Sequence, residues 1–333
     1  MLDHETEDLG RRAGRPVTPA TLGPGAVLGA WRLDHHLAAG GCGAVYRGHH
    51  LVLGRDAAIK VLHPHLADDP AMVARFIREA QAINRIGHPN IVDVFDVGTC
   101  GPHTYLVMEL LDDANLEQRL DGDGRLTLPE CLAVLAPVAD ALTAAHRAGF
   151  VHRDVKARNI GFTRARLDDP GGEVRLLDFG IAKLLGDGGV GSSATVRMGT
   201  PHCIAPEQIR GESIDARTDV YALGVLLFHL ATAVYPFDGD DSSEVERKHL
   251  DAPPPRPSDL VPELAIIDDL IAWAMAKAPD RRPATPRAVV DALRAAINGT
   301  RVRRAPARLA RPAPRRAASL ATPRRRRDRR PGG

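Results

Sequence analysis

His152-Arg153-Asp154-Val155-Lys156-Ala157-Arg158-Asn159 decides how the rest of this chain is read, together with Asp178-Phe179-Gly180 further on. Four residues separate Asp154 from Asn159, and Asp178 adds a second carboxylate. Hard oxygen donors of this kind suit Mg²⁺, and one carboxylate is left to act as a base beside a nucleophile. Each residue alone would pass for part of a polar surface loop. As an ordered set they point to chemistry at a charged group that a cation must help to hold.

Working outward, Ala38-Ala39-Gly40-Gly41-Cys42-Gly43-Ala44-Val45-Tyr46 lies between two predicted strands. Such a turn lets backbone N–H groups approach phosphate oxygens without side-chain clash, although a plain glycine hairpin looks the same. In Ala57-Ala58-Ile59-Lys60 a lysine sits inside an apolar strand. A buried ammonium is costly without a partner, and Glu79 on the next predicted helix is the expected one. The alternative is a rim lysine with its head in water.

In this order the motifs resemble those of the eukaryotic-like protein kinase family, in its bacterial Ser/Thr branch, over residues 31–297. Gly199-Thr200-Pro201-His202-Cys203-Ile204-Ala205-Pro206-Glu207 resembles the segment that closes the family's activation loop. Asp219-Val220-Tyr221-Ala222-Leu223-Gly224 resembles its large-lobe anchor helix, and Arg281-Arg282-Pro283 its closing Arg-Pro motif. The resemblance implies an α+β, two-lobed fold with ATP in the cleft. The strand-rich N-lobe covers about 26–110 and the helical C-lobe about 111–299, after a disordered leader over 1–25 and before a disordered basic tail over 300–333.

The resemblance also implies roles. Lys60 holds the α- and β-phosphates and pairs with Glu79, and Asp154 orients the substrate hydroxyl and accepts its proton. Lys156 neutralises charge on the γ-phosphoryl group, and Asn159 and Asp178 bind Mg²⁺. Leu37, Gly40, Gly41, Gly43, Val45, Ala58, Met108, Glu109, Leu111 and Gly161 line the nucleotide site. Met108 is the gatekeeper, and the backbones of Glu109 and Leu111 bond adenine. Ile83, Val94, His152 and Phe179 form a spine linking the lobes, and Glu207 pairs with Arg282. Lys156 and Thr200 favour Ser/Thr as acceptor, although Ala157-Arg158-Asn159 is faintly like the tyrosine kinases. A catalytically dead binding scaffold would be expected to lack Lys60, Asp154 or Asp178; this chain has all three.

Several positions depart from the family pattern. Ala38 replaces the first loop glycine, Cys203 and Ile204 replace Tyr-Met, and residues 168–172 form an inserted turn. Gly161 stands where the family has a large apolar residue beneath adenine. A missing floor predicts that Gly161→Leu tightens ATP binding by ~1–2 kcal/mol. Arg153 is a candidate binder of an activation-loop phosphate, with Thr195, then Ser193 and Ser192, as candidate phosphorylation sites.

Away from these motifs, strands are expected at 44–49, 56–62, 91–97 and 104–110, with two more flanking Asp178. Helices are expected at 71–85, at 127–148 behind a Thr127/Glu130 capping box with a bend at Pro137, and at 218–232, 264–277 and 285–297. Val220 to Val234, interrupted by His229, is the most apolar run and reads as a core helix too short to span a bilayer. Hydrophobic residues make up 44% of the 333 and charged residues 26%, ordinary for a globular protein. The four cysteines are scattered, which argues against a zinc site or a disulfide framework and suits a reducing compartment. With no apolar leader and no spanning segment after the tail, a cytoplasmic protein is expected.

The tail over 300–333 carries 13 Arg and one Asp, so its net +12 is set against −10 on the rest of the chain, together giving +2. Three readings of it stay open: a solvated extension, contact with nucleic acid or anionic lipid, or a regulatory segment. Expected partners are Ser/Thr-bearing protein substrates and a second copy of the chain for trans-autophosphorylation.

Overall fold

The computed structural model describes residues 22–111, 115–163, 173–178 and 201–299. Most of the leader, Phe179, Gly180, Ser192, Ser193, Thr195, Gly199, Thr200 and the basic tail lie outside the described residues.

The N-terminal half is a six-stranded antiparallel sheet with helices at one face. Its strands are β1 (Val27–Leu28), β2 (Trp31–Ala39), β3 (Gly43–His50) and β4 (Asp56–Leu62); two helices follow, α1 (Pro64–Ala67) and α2 (Pro70–Ile86), before β5 (Val94–Cys100) and β6 (His103–Met108). The sheet order is β1-β2-β3-β4-β6-β5. Alternation along β4 explains the placement of its lysine. Ala57, Ile59 and Val61 enter a cluster with Trp31, Leu33 and Val107, while Ala58 and Leu62 join the main core. Lys60 therefore shares the face of Ala58 and Leu62.

Helix α2 starts at Pro70, with the Asp69 carboxylate accepting from the Ala71 N–H at 2.8 Å, and stops at Gly87, whose φ is 55°. Its buried stripe is Met72, Phe76, Ala80 and Ile83, with Glu79 among them.

The C-terminal half contains α3 (Leu116–Asp123), α4 (Leu128–Arg147), the hairpin β7 (Ile160–Thr163) and β8 (Glu173–Leu176), then α5 (Pro206–Arg210), α6 (Ala216–Thr232), α7 (Ser242–Asp251), α8 (Asp268–Ala274) and α9 (Pro286–Ile297). The expected capping box opens α4: the Thr127 N–H donates to Glu130 at 2.8 Å and the Glu130 N–H donates back at 3.5 Å. The helix continues through Pro137. It is long and apolar enough to cross a membrane by composition, but it buries Val134, Leu135, Val138 and Leu142 and packs on α6 and α9. Helix α6 is buried all round from Thr218 to Ala231, as expected for a central core helix.

Two expectations shift. The helix expected at 264–277 is a 3₁₀ turn, Pro262–Ile267, followed by the shorter α8; at their junction the Asp268 carboxylate accepts from the Ser258 N–H and hydroxyl. The strand expected from Ile91 begins at Val94, because Ile91 bridges to Leu176 instead. The Val92 N–H donates to the Leu176 carbonyl at 3.1 Å and the Asn90 side chain donates to the Val174 carbonyl at 3.0 Å, joining the two halves behind the cleft. Of the two strands expected to flank Asp178, β8 ends just before it, and the residues after it lie outside those described.

Candidate active site

The loop from His152 to Asn159 leaves α4, enters β7, and is held from below by one buried carboxylate. Asp219, on α6, is fully buried. It accepts from the N–H groups of His152 at 2.9 Å and Arg153 at 2.8 Å, and from His146 Nε2 at 2.7 Å. These bonds hold Arg153 at φ 68°, a left-handed conformation that a side chain resists, while Gln208 donates to its carbonyl at 3.0 Å. His152 Nε2 donates to the Leu177 carbonyl at 3.0 Å, so its Nδ1 is the acceptor for the Asp154 N–H at 3.3 Å. Burial pushes the His152 pKa down, which keeps the ring neutral in this tautomer.

Within the loop, Lys156 Nζ lies 2.9 Å from Asp154 Oδ2. Asn159 Nδ2 donates to the Asp154 carbonyl at 2.8 Å and to its Oδ2 at 3.1 Å. The Leu177 N–H donates to the Asn159 carbonyl at 2.8 Å, which brings Asp178 alongside. Asp178 is itself left-handed, with φ 47°.

Lys60 reaches this second carboxylate: its Nζ is 2.7 Å from Asp178 Oδ1. Lys60 is thus bonded to Asp178 rather than to the expected Glu79, although Lys60 and Glu79 stay close enough for each charge to act on the other. Glu79 is buried and forms no ion pair among the described residues. Burial and the negative Asp178 and Asp154 push its pKa up to about 8, although Lys60 pulls the other way. For Lys60, burial opposes the charge, but the Asp178 and Glu79 carboxylates outweigh it and raise the pKa.

The oxygens left over suit a small hard cation. Asn159 uses its Nδ2 and Asp178 its Oδ1 in the bonds above, which leaves an amide oxygen and a carboxylate oxygen. Among the described residues no cluster of three His, Cys, Asp or Glu side chains is placed to hold a metal. A two-oxygen set fits Mg²⁺, which retains waters and takes further ligands from phosphates.

The opposite wall comes from the sheet. Ala58 and Met108 are paired across β4 and β6 and buried, Val45 is half-buried, and Leu37 is exposed at the edge. Gly40 and Gly41 lie in the turn between β2 and β3, Gly43 opens β3, and a Cβ at Gly43 would run into the Val61 carbonyl. The Glu109 N–H is taken by the Asp93 carbonyl at 2.9 Å. The Glu109 carboxylate meets Arg175, with Nε at 3.0 Å and a second nitrogen at 3.4 Å.

Gly161 leaves no gap. A Cβ built there would collide with Leu111 Cδ1 and come within 3.6 Å of Leu177 Cδ1. The Leu111 side chain, from the segment joining the lobes, fills the space that the sequence left empty. A leucine at position 161 has to displace the far end of the Leu111 side chain.

Of the expected spine, Ile83, Val94 and His152 are buried, and Phe179 lies outside the described residues. Glu207 and Arg282 form a two-point pair, both bonds 2.7 Å, inside the C-terminal half. The Thr218 hydroxyl donates to the same carboxylate at 2.8 Å. Burial alone would raise the Glu207 pKa, but the guanidinium and the hydroxyl hold it below the ordinary carboxylate value.

Arg175 was missed in the sequence. A charged residue in the apolar run Val174-Arg175-Leu176 is the same signal that exposed Lys60.

The protein kinase domain family matches residues 31–292. The chain is 42% identical over 274 residues to serine/threonine-protein kinase Pkn1 of Myxococcus xanthus, covering 82% of this chain and 39% of that one. It is 38% identical over 261 residues to serine/threonine-protein kinase PknB of Mycolicibacterium smegmatis, covering 76% and 40%. The chain thus spans about two fifths of the length of these curated relatives. The crystal structure of the Mycobacterium tuberculosis PknI kinase domain matches with a TM-score of 0.66 at 29% identity, covering 83% of this chain and all of that one.

Proposed function

This chain belongs to the protein kinase family, in its bacterial Ser/Thr branch, and from that membership we propose that it transfers the γ-phosphoryl group of ATP to Ser and Thr hydroxyls of proteins. The observation that carries the reading is two bonded groups, Lys60 with Asp178 and Asp154 with Lys156 and Asn159, with contacts of 2.7–3.1 Å, joined by the Leu177 N–H bond to the Asn159 carbonyl. Asp154 orients the acceptor hydroxyl and takes its proton, and Lys156, already 2.9 Å away, faces the transferred group. Asn159 and Asp178 hold Mg²⁺, which neutralises phosphate charge when bound. Lys60 leaves Asp178 for the phosphates and is braced by Glu79, which ionises as the ammonium approaches. Leu111, Ala58, Met108 and Val45 enclose the adenine, with the backbones of Glu109 and Leu111 as its hydrogen-bonding edge.

Arg153 is the proposed receptor for a phosphate at Thr195, Ser193 or Ser192, and a second copy of the chain is the proposed source of that phosphate. The domain division proposed from the sequence, with a kinase domain over 26–299, is kept. ATP places this activity in the cytoplasm. The Arg-rich tail is kept as an accessory contact for anionic surfaces. Incubation with ATP and Mg²⁺ followed by mass spectrometry tests the acceptor. Phosphoserine and phosphothreonine are expected, with Thr195 the leading site; phosphate confined to tyrosine contradicts the Ser/Thr assignment.

Gly161→Leu is expected to weaken ATP binding, because the new side chain meets Leu111; overpacking of this kind costs ~1–3 kcal/mol. Adding Leu111→Ala is expected to recover most of the loss. Calorimetric titration of both variants checks this, and tighter binding by Gly161→Leu alone contradicts it.

Glu79 gives a pH signature. Its pKa in the folded chain, about 8, lies above its ordinary 4.5, so the fold holds an extra proton between those values. Stability should therefore fall as pH rises through that window. The nucleotide-free wild type is expected to lose Tm relative to Glu79→Gln as pH rises from 5 to 8, roughly following that proton linkage. Parallel melting curves across pH would sink the assignment. The same variant should lose kinase activity, since a neutral amide cannot brace Lys60.

A further inference from the structure

The turn Gly40–Gly43 is fastened from outside by a residue to which no role in the cleft has been given. His63 follows β4, three residues after Lys60. Its Nε2 lies 2.8 Å from the Gly40 carbonyl oxygen, and since a carbonyl only accepts, Nε2 carries the proton. The backbone N–H of the same residue donates to the Cys42 carbonyl at 3.0 Å. The Gly43 carbonyl is taken by the Gly40 N–H at 2.9 Å.

His63 is itself fixed. Its carbonyl accepts from the Leu66 and Ala67 N–H groups, both at 2.9 Å, as α1 begins at Pro64. Its ring lies nearly parallel to that of His65, with centroids 5.7 Å apart and an interplanar angle of 16°.

Peptide geometry converts these contacts into a statement about the turn. The described chain has no cis peptide bonds. In a planar trans peptide the C=O and N–H point in opposite directions. Holding the Gly40 carbonyl turns the Gly41 N–H away from His63, and holding the Cys42 carbonyl does the same for the Gly43 N–H. Alternation along β4 puts Lys60 on the face opposite to Val61, and continuing it places His63 with Val61. The Gly40 and Cys42 carbonyls, which would repel an anion, are thus both occupied by His63. The Gly41 and Gly43 amides, which attract an anion, are left facing away from His63.

We propose that His63 is a positioning residue for nucleotide phosphates: it presets the peptide planes of the Gly-rich turn so that the Gly41 and Gly43 amides meet the phosphate chain. This rests on the ATP-binding reading above. The effect belongs to the phosphates alone, since among the described residues none of His63's hydrogen bonds or ring contacts is made to Val45, Ala58, Met108 or Leu111.

The test compares wild type, His63→Leu and His63→Gln as purified full chains, measuring Kd for ATP, ADP and adenosine and the kcat and KM for ATP. Loss of one net hydrogen bond predicts that His63→Leu weakens ATP and ADP about three- to tenfold, with adenosine unchanged within about twofold. KM for ATP should rise more than kcat falls. Glutamine carries an N–H donor on a side chain of similar reach, so His63→Gln should recover most of the affinity. Equal weakening of adenosine overturns the proposal, as does unchanged ATP binding in His63→Leu or a glutamine variant no better than leucine. A wild-type chain that binds adenosine and ATP equally well overturns it too. One that binds no nucleotide at all refutes the ATP-binding reading itself.

Discussion

Asp154→Asn leaves the chain folded and slows phosphoryl transfer by about 10²–10⁴-fold, the usual contribution of a positioned general base. The substitution is nearly isosteric. An amide oxygen at this position still accepts from Lys156 and from Asn159, which now approach at 2.9 and 3.1 Å. What is lost is the negative charge that orients the acceptor hydroxyl and receives its proton. Turnover should fall while ATP affinity and Tm stay close to wild type. A variant that keeps wild-type turnover removes Asp154 from the catalytic role, and one that fails to fold shows that its bonds to Asn159 and Lys156 matter chiefly for structure.

Arg282→Ala acts on stability instead. Glu207 is 2% exposed, and the guanidinium supplies two of its bonds. The same guanidinium also donates to the carbonyls of Ala276, Arg217 and Lys277. Removing one partner of a buried pair strands the other charge, at a cost of about 3–5 kcal/mol. At about 2–4 °C per kcal/mol for domains somewhat smaller than this one, Tm should drop by roughly 10 °C. Arg282→Lys should rescue little, because an ammonium cannot reproduce the planar two-point geometry. Glu207→Gln should be milder than Arg282→Ala, since it leaves a neutral acceptor rather than an orphaned carboxylate. Thermal melts of the three variants check the order, and a Tm within about 2 °C of wild type for Arg282→Ala contradicts it.

Much of this was legible in the sequence because the responsible residues are locally anomalous. Lys60 in an apolar strand and the Thr127/Glu130 capping box each announce themselves within a few residues. The Glu207–Arg282 pair was legible only through the family resemblance, since nothing local links residues so far apart. Helices α3 and α7 were not visible: Leu116–Asp123 and Ser242–Asp251 are short and largely polar, and only Leu116 and Leu120, or Val245, Glu246 and His249, are buried. The sequence offers Lys60 two carboxylates, Glu79 and Asp178, and which one its ammonium bonds depends on elements far apart in the chain. Gly161 is a related case. A missing side chain is a local fact, but Leu111, which fills its place, arrives from another part of the chain. Arg175 and His63 act through a hinge-side carboxylate and a turn's carbonyls, contacts that exist only once the lobes are built.

The most direct measurement is transfer of labelled phosphate from γ-labelled ATP to a Ser/Thr-bearing protein acceptor by the purified chain, with Mg²⁺ present or chelated, beside Asp154→Asn. The account predicts label on serine or threonine from wild type with Mg²⁺, and almost none from the chelated sample or the variant. No transfer from a wild-type chain that binds ATP and Mg²⁺, or equal transfer by Asp154→Asn, would contradict it.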